Sequence, residues 1–146
     1  MTGAFHPASR DRLLVIVPRS AVGKLLAEQT GRPVSALLTS HRVAEDPAEL
    51  EPVILSLLDS GCNYFVCFGI ASEALHDRID ELVIERASTP DRTVMTTWHD
   101  NESAIDVAEF FLKIAAAKEG SLLVAALEQS DRELATALVR QARLES

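Results

Sequence analysis

His99 and Asp100 follow directly on Trp98, the single tryptophan of the chain, and Asn101 and Glu102 come next. An imidazole next to a carboxylate is the pairing used in general acid–base chemistry, where the acid fixes the ring tautomer and supports its protonated form. Residues adjacent in sequence point apart at a strand end, however. The expectation is therefore that Trp98 closes the end of the core while His99 to Glu102 begin a helix, with Asp100 and Asn101 as caps. A ligand site built on His99 is the alternative, with His41 as a further possible partner for the ring.

The other residues able to do chemistry recur at comparable places, just after apolar runs. Arg19 and Ser20 follow one such run, Ser40, His41 and Arg42 a second, and Gly69 and Ser72 a third. In open parallel sheets, ligands bind outside the carboxyl ends of the strands. That rule gathers Arg19, Ser20, His41, Arg42, Trp98, His99 and Asp100 into one candidate site for a small anionic or polar ligand. No catalytic residue is assigned. Ser20 and Ser72 also stand where helix caps belong, and His76 with Asp80 reads as a solvated pair on a helix flank.

Named motifs fail on particular residues. "VPRSAVGK" ends in Gly-Lys, but Pro18 stands where a phosphate-binding loop needs its first glycine and Leu25 where it needs Ser or Thr. A response-regulator phosphoacceptor site needs acids where this chain has Pro18 with Arg19, and an aspartate where it has Phe68 with Gly69. A dinucleotide glycine fingerprint, a nucleophile elbow and an HExxH zinc motif are missing from the sequence.

The elements that must position these residues alternate. "RLLVIVP" (12–18), "SALLTS" (35–40), "NYFVCFG" (63–69), "TVMTTW" (93–98) and "SLLVAAL" (121–127) read as strands, the first, third and fifth being central. Between them lie helical stretches. Ser20 starts one that carries Val22, Leu25 and Leu26. Asp46, Pro47 and Glu49 resemble a capping box ahead of a helix from Pro52 to Gly61, and Leu75, Ile79, Leu82 and Val83 share a face of the next. Ser130 and Glu133 resemble a second box before a helix burying Leu134, Leu138 and Val139. Strand–helix alternation with short connections predicts an α/β fold, a three-layer sandwich with a mostly parallel five-stranded sheet. The expected topology is flavodoxin-like, with strand order 2-1-3-4-5. Residues 1–10 are expected to be a flexible N-terminus and 11–146 a single domain.

On the fourth helix Glu102, Asp106, Glu109 and Lys113 form a narrow polar stripe, which leaves a wide apolar arc. Neighbouring helices could cover that arc. Otherwise Val107, Phe110 and Ile114 would meet a second copy in a homodimer.

"NYFVCFG", "EALHDRID" and "VMTTWHDNES" leading into "AEFFL" resemble the middle of a group of small uncharacterised bacterial proteins, whose fourth strand ends in Thr-Thr-Trp-His and an acid. The resemblance covers roughly residues 60 to 112 and implies a recurring α/β domain without a known activity.

Composition bounds the function. At 146 residues with 47% hydrophobic and 25% charged residues, the chain can bury a core of its own. The net charge of −8 repels nucleic acid and anionic membranes, so a basic protein is the favoured partner. No apolar run approaches the roughly 20 residues of a membrane span, and the N-terminus does not read as a secretory signal. Cytoplasmic residence is expected. Cys62 and Cys67 are expected to be reduced, on opposite faces of a strand, and the scattered histidines give no metal site and no cofactor. The reading that follows is a non-enzymatic acidic binding domain of a bacterial cytoplasmic protein, accessory or immunity-like. Its alternative is a small-molecule binder or small enzyme using the carboxyl ends of the strands.

Overall fold

A computed structural model of the chain describes residues 3–5, 11–41, 50–86, 93–115 and 119–144. Among them are six strands, β1 (Gly3–Phe5), β2 (Leu13–Val17), β3 (Val34–Thr39), β4 (Cys62–Phe68), β5 (Met95–His99) and β6 (Leu122–Ala126). The helices are α1 (Val22–Glu28), α2 (Glu51–Asp59), α3 (Ser72–Glu85), α4 (Ala104–Phe110) and α5 (Arg132–Leu144), and a π-helical turn over Phe111–Ala115 continues α4. The fold is α/β, with one mixed sheet.

Its order is β1-β2-β6-β3-β4-β5, parallel except for the antiparallel pair β1·β2. This corrects the expected five strands and the order 2-1-3-4-5. The sixth strand, Gly3–Phe5, falls in the stretch expected to be irregular. The last strand inserts between the first two long ones because every residue of β6 is buried, which forbids an edge. The sequence MTTWH of β5 buries only His99 fully and takes the edge instead.

Alternate residues of the strands feed two cores. On one face, Leu13, Val15, Leu38, Phe65 and Val124 pack against α1, α2 and α3. On the other, Leu14, Ile16, Leu37, Val66 and Leu123 pack against α4, its π-turn and α5. Both cysteines are buried as thiols, but in the same core, contrary to the opposite faces expected. The pairing with β3 steps from Cys62 to Tyr64, so Asn63 is an irregularity that shifts the side-chain alternation by one.

The π-turn also changes the reading of α4. A wheel at 100° per residue fails beyond Phe110, where Arg12 Nη1 donates to Leu112 O at 2.5 Å and Ser35 Oγ to Ala115 O at 3.1 Å. Val107 is fully buried and Phe110 partly so, both within the chain's own core, while Ile114 is exposed. Val107 is therefore not available to a partner. Ile105, unassigned in the expected interface, is 61% exposed.

The predicted helix faces largely hold: Leu75, Ile79 and Leu82 in α3 and Leu134, Leu138 and Val139 in α5 are buried, and Val83 is partly so. The predicted caps do not. Ser20 lies in a 3₁₀ turn, Arg19–Ala21, ahead of α1, and neither that turn nor α1 has a side-chain cap. Ser103, not Asp100 or Asn101, caps α4 by accepting from Asp106 N at 3.1 Å. The stretch Asp46 to Glu49 lies outside the described residues.

Candidate functional site

Pro18 ends β2, and the 3₁₀ turn after it sends Arg19 across β6 toward β3. There its Nη2 donates to Thr39 O, and its Nη1 lies 2.7 Å from Glu128 Oε1. Thr39 and His41 close β3 by turning toward one carboxylate. Thr39 Oγ1 donates to Asp131 Oδ2 at 2.7 Å and His41 Nε2 to Oδ1 at 2.5 Å. The same carboxylate accepts from Glu128 N at 2.8 Å, completing a capping box at the 3₁₀ turn that leads into α5. Asp131 is only 4% exposed. Burial of a carboxylate is costly unless donors surround it, and here three do.

The cluster sits where chain direction changes. The helices after β2 and β3 lie on one face of the sheet and the helix after β6 on the other, so a crevice opens at the carboxyl end of β6. A cleft of about 480 Å³ lies there, lined by Arg19, Ser20, Glu128, Gln129, Asp131 and Arg132 among others. Ser20 is exposed at its rim.

The carboxyl ends of β3, β4 and β5 are tied by their backbones. Ser40 N donates to Phe68 O at 2.9 Å, Gly69 N to His99 O at 3.2 Å and Ala71 N to Ser40 O at 3.0 Å. Gly69 has φ +119°, and a Cβ there would stand 2.3 Å from Ser40 O and 2.7 Å from His41 Nδ1. No other residue type fits.

His99 does not meet Asp100 or His41. It is 7% exposed, its ring centroid 4.9 Å from that of Phe110, with Nε2 3.0 Å from Thr97 Oγ1. Its Nδ1 is 3.0 Å from Glu102 Oε1, an ion-pair distance without hydrogen-bond alignment. Asp100 is exposed. The described residues thus show no His99–Asp100 pair, the alternative rather than the expectation from sequence.

Trp98 does not close the core either. β5 is an edge strand, so the indole lies beside α3 and remains 43% exposed. Its ring centroid is 4.5 Å from that of His76, which Asp77 holds through Nδ1 at 3.0 Å and Asp80 approaches through Nε2 at 3.4 Å. Beneath this face, burial pushes the Cys67 thiol far above its ordinary pKa, and the Asp80 charge adds to the rise. The Tyr64 phenol is also pushed up by burial.

The seven candidate ligand residues are therefore divided. Arg19, Ser20 and His41 gather at the central crevice, Trp98, His99 and Asp100 stand at the β5 end, and Arg42 lies outside the described residues. Sequence reasoning missed Thr39, Glu128 and Asp131. The available signal was a pair of acids three apart directly after a buried strand, the same box pattern assigned instead to Ser130 and Glu133.

A family model described as "Domain of unknown function (DUF7684)" matches residues 17–142, and the chain belongs to that family. No curated protein matches it. Among the described residues no helix is long and apolar enough to cross a membrane, and no group of three or more His, Cys, Asp or Glu is placed to hold a metal ion.

Proposed function

We propose that this chain is a non-enzymatic acidic binding domain that docks a basic protein through the face formed by α3 and the β5 edge. The observation that carries this reading is the half-exposed Trp98 lying on His76, with Asp77 and Asp80 against the same imidazole. An exposed indole beside a histidine held by two carboxylates is the composition of an interface anchor for a cationic partner, because it supplies apolar area and a cation-binding ring face together. His76, Asp80 and Ile84 are four residues apart along one flank of α3, and Ile84 is exposed.

The rest of the surface supports the same partner. Helix α3 carries Glu73, Asp77, Asp80, Glu81 and Glu85 against one arginine, and α2 adds Glu51 and Asp59. Arg78 is held by Glu51 and Glu81, and Arg86 by Asp59, which leaves the face strongly negative. Helices packed on both sides of the sheet make a three-layered scaffold that presents the face rigidly. A bacterial cytoplasmic accessory or immunity-like role, neutralising a basic surface, fits these features.

Trp98 is the sole tryptophan, so its fluorescence reports on the face directly. A lysine-rich oligopeptide should shift its emission saturably at physiological salt, and a glutamate-rich peptide should not. Asp77→Asn with Asp80→Asn should weaken the lysine peptide at least tenfold. An unchanged emission, or equal binding by the neutralised variant, would overturn the reading.

A second reading rests on the crevice at Arg19, Glu128 and Asp131, whose place at the carboxyl end of β6 suits a small polar ligand. A thermal-shift screen with small anions and zwitterions would favour it if one raised the melting temperature and Arg19→Ala abolished the effect.

A further inference from the structure

Both α4 and α5 leave the carboxyl edge of the sheet and run back side by side across one face. A groove of about 590 Å³ borders α5, lined by Ile105 of α4 and by Arg132, Thr136, Arg140 and Leu144 of α5 among others. Ile105 and Leu144 are exposed on it, and Ile114 is exposed further along α4's continuation. The two sides of the face differ in charge. Exposed Glu102, Asp106 and Glu109 oppose one lysine, Lys113, on the α4 side, whereas exposed Arg132, Arg140 and Arg143 oppose one glutamate, Glu133, on α5.

We propose that this face is the contact surface of a two-fold homodimer in which α4 of each copy lies over α5 of the other. A two-fold axis along the groove carries the acidic side of one copy onto the basic side of its partner, and does so twice. One operation thus satisfies both charged sides and covers Ile105, Ile114 and Leu144. A foreign partner would have to carry a matching basic and acidic strip side by side; a second copy carries them already. The interface is isologous and closes at two chains, so it does not build filaments. It is also separate from the α3–β5 face, since the two lie on opposite sides of the sheet.

The test is the mass in solution by light scattering at high micromolar concentration. The wild type should weigh about twice the 15.9 kDa of the chain. Arg140→Glu and Glu109→Arg alter exposed side chains, so circular dichroism should report an intact fold, and each should weaken the dimer at least tenfold. Combining them in one chain restores opposite charges across the two-fold contact and should recover the dimer. Trp98→Ala should leave the mass unchanged. A monomeric wild type would overturn the proposal and leave the groove to another protein. A dimer indifferent to both single variants, or a double variant that stays monomeric, would overturn the placement of α4 over α5.

Discussion

Two ends of one sheet edge use similar residues in opposite ways. At the central crevice, Asp131 and His41 bond each other, Arg19 meets Glu128, and Thr39 supplies a hydroxyl, so the polar groups are answered within the chain. At the β5 end, His76 with Asp77 and Asp80 is the analogous histidine–acid set, but Asp77 is exposed, Asp80 is half-exposed and a half-exposed indole lies on the ring. The buried set holds three strands and a helix together. The outward set presents the same chemistry to a partner. Which role a histidine–carboxylate pair takes is decided by whether it sits at the ends of the central strands or beside the edge strand.

The sharpest way to break that contrast is to remove the central carboxylate. Asp131→Ala leaves Thr39 Oγ1, His41 Nε2 and Glu128 N without their shared acceptor. Leaving the buried Thr39 hydroxyl and the part-buried Glu128 N–H without an acceptor costs about 1–3 kcal/mol each, a large part of the stability of a domain this size. Guanidinium unfolding should show a midpoint that falls sharply. Asp77→Ala, the outward counterpart, should cost less than about 1 kcal/mol. Equal losses at both positions would erase the distinction between the two regions.

This distinction was only partly legible in the sequence. The apolar runs of β2, β4 and β6 located the strands, and the spacing of Leu75, Ile79 and Leu82 located the inner face of α3, because hydrophobic period is a local property. Strand order is not local: the return of β6 between β2 and β3 depends on which strand can bear burial on both sides. The place of Trp98 follows from that order: a lone tryptophan beside helices reads as closing the end of the core, whereas β5 is the edge strand. The Asp131 cluster was missed for a related reason, since Thr39 and Asp131 are 92 residues apart and meet only because β3 and β6 are neighbours. The π-turn after α4 was illegible for the same reason, since it is held by Arg12, just before β2, and by Ser35 of β3, both distant in sequence.

A second prediction probes what lies beneath the outward region. The Cys67 thiol has its pKa raised in the fold, first by burial and then by Asp80. Below the ordinary thiol value of about 8.5 both folded and unfolded chains keep the proton, and the full stability is present. Above it the unfolded chain loses that proton while the folded one retains it, so stability falls as pH rises, by up to about 1.4 kcal/mol per pH unit from this group. Unfolding midpoints at pH 7 and pH 10 should therefore differ more in the wild type than in Cys67→Ala. The native thiol should also resist alkylation at pH 8. Rapid labelling, or an identical alkaline loss in the variant, would show that the core under α3 is open to solvent.

The last variant is the most informative about function. Trp98→Ala removes a ring that is 43% exposed and lies against His76. Only the covered part of the side chain contributes to folding, so the cost should stay at or below about 3 kcal/mol, the low end of the range for truncating a buried aromatic. Binding of a lysine-rich peptide, followed by calorimetry because the fluorophore is gone, should nevertheless weaken at least tenfold, as for an anchor at the centre of an interface. Trp98→Phe should recover part of that affinity, since the smaller ring keeps some apolar area and a weaker cation-binding face. A Trp98→Ala variant that unfolds several kcal/mol more easily would return the indole to the core. One that binds as well as the wild type would leave the outward region without its anchor, and the central crevice would become the better candidate.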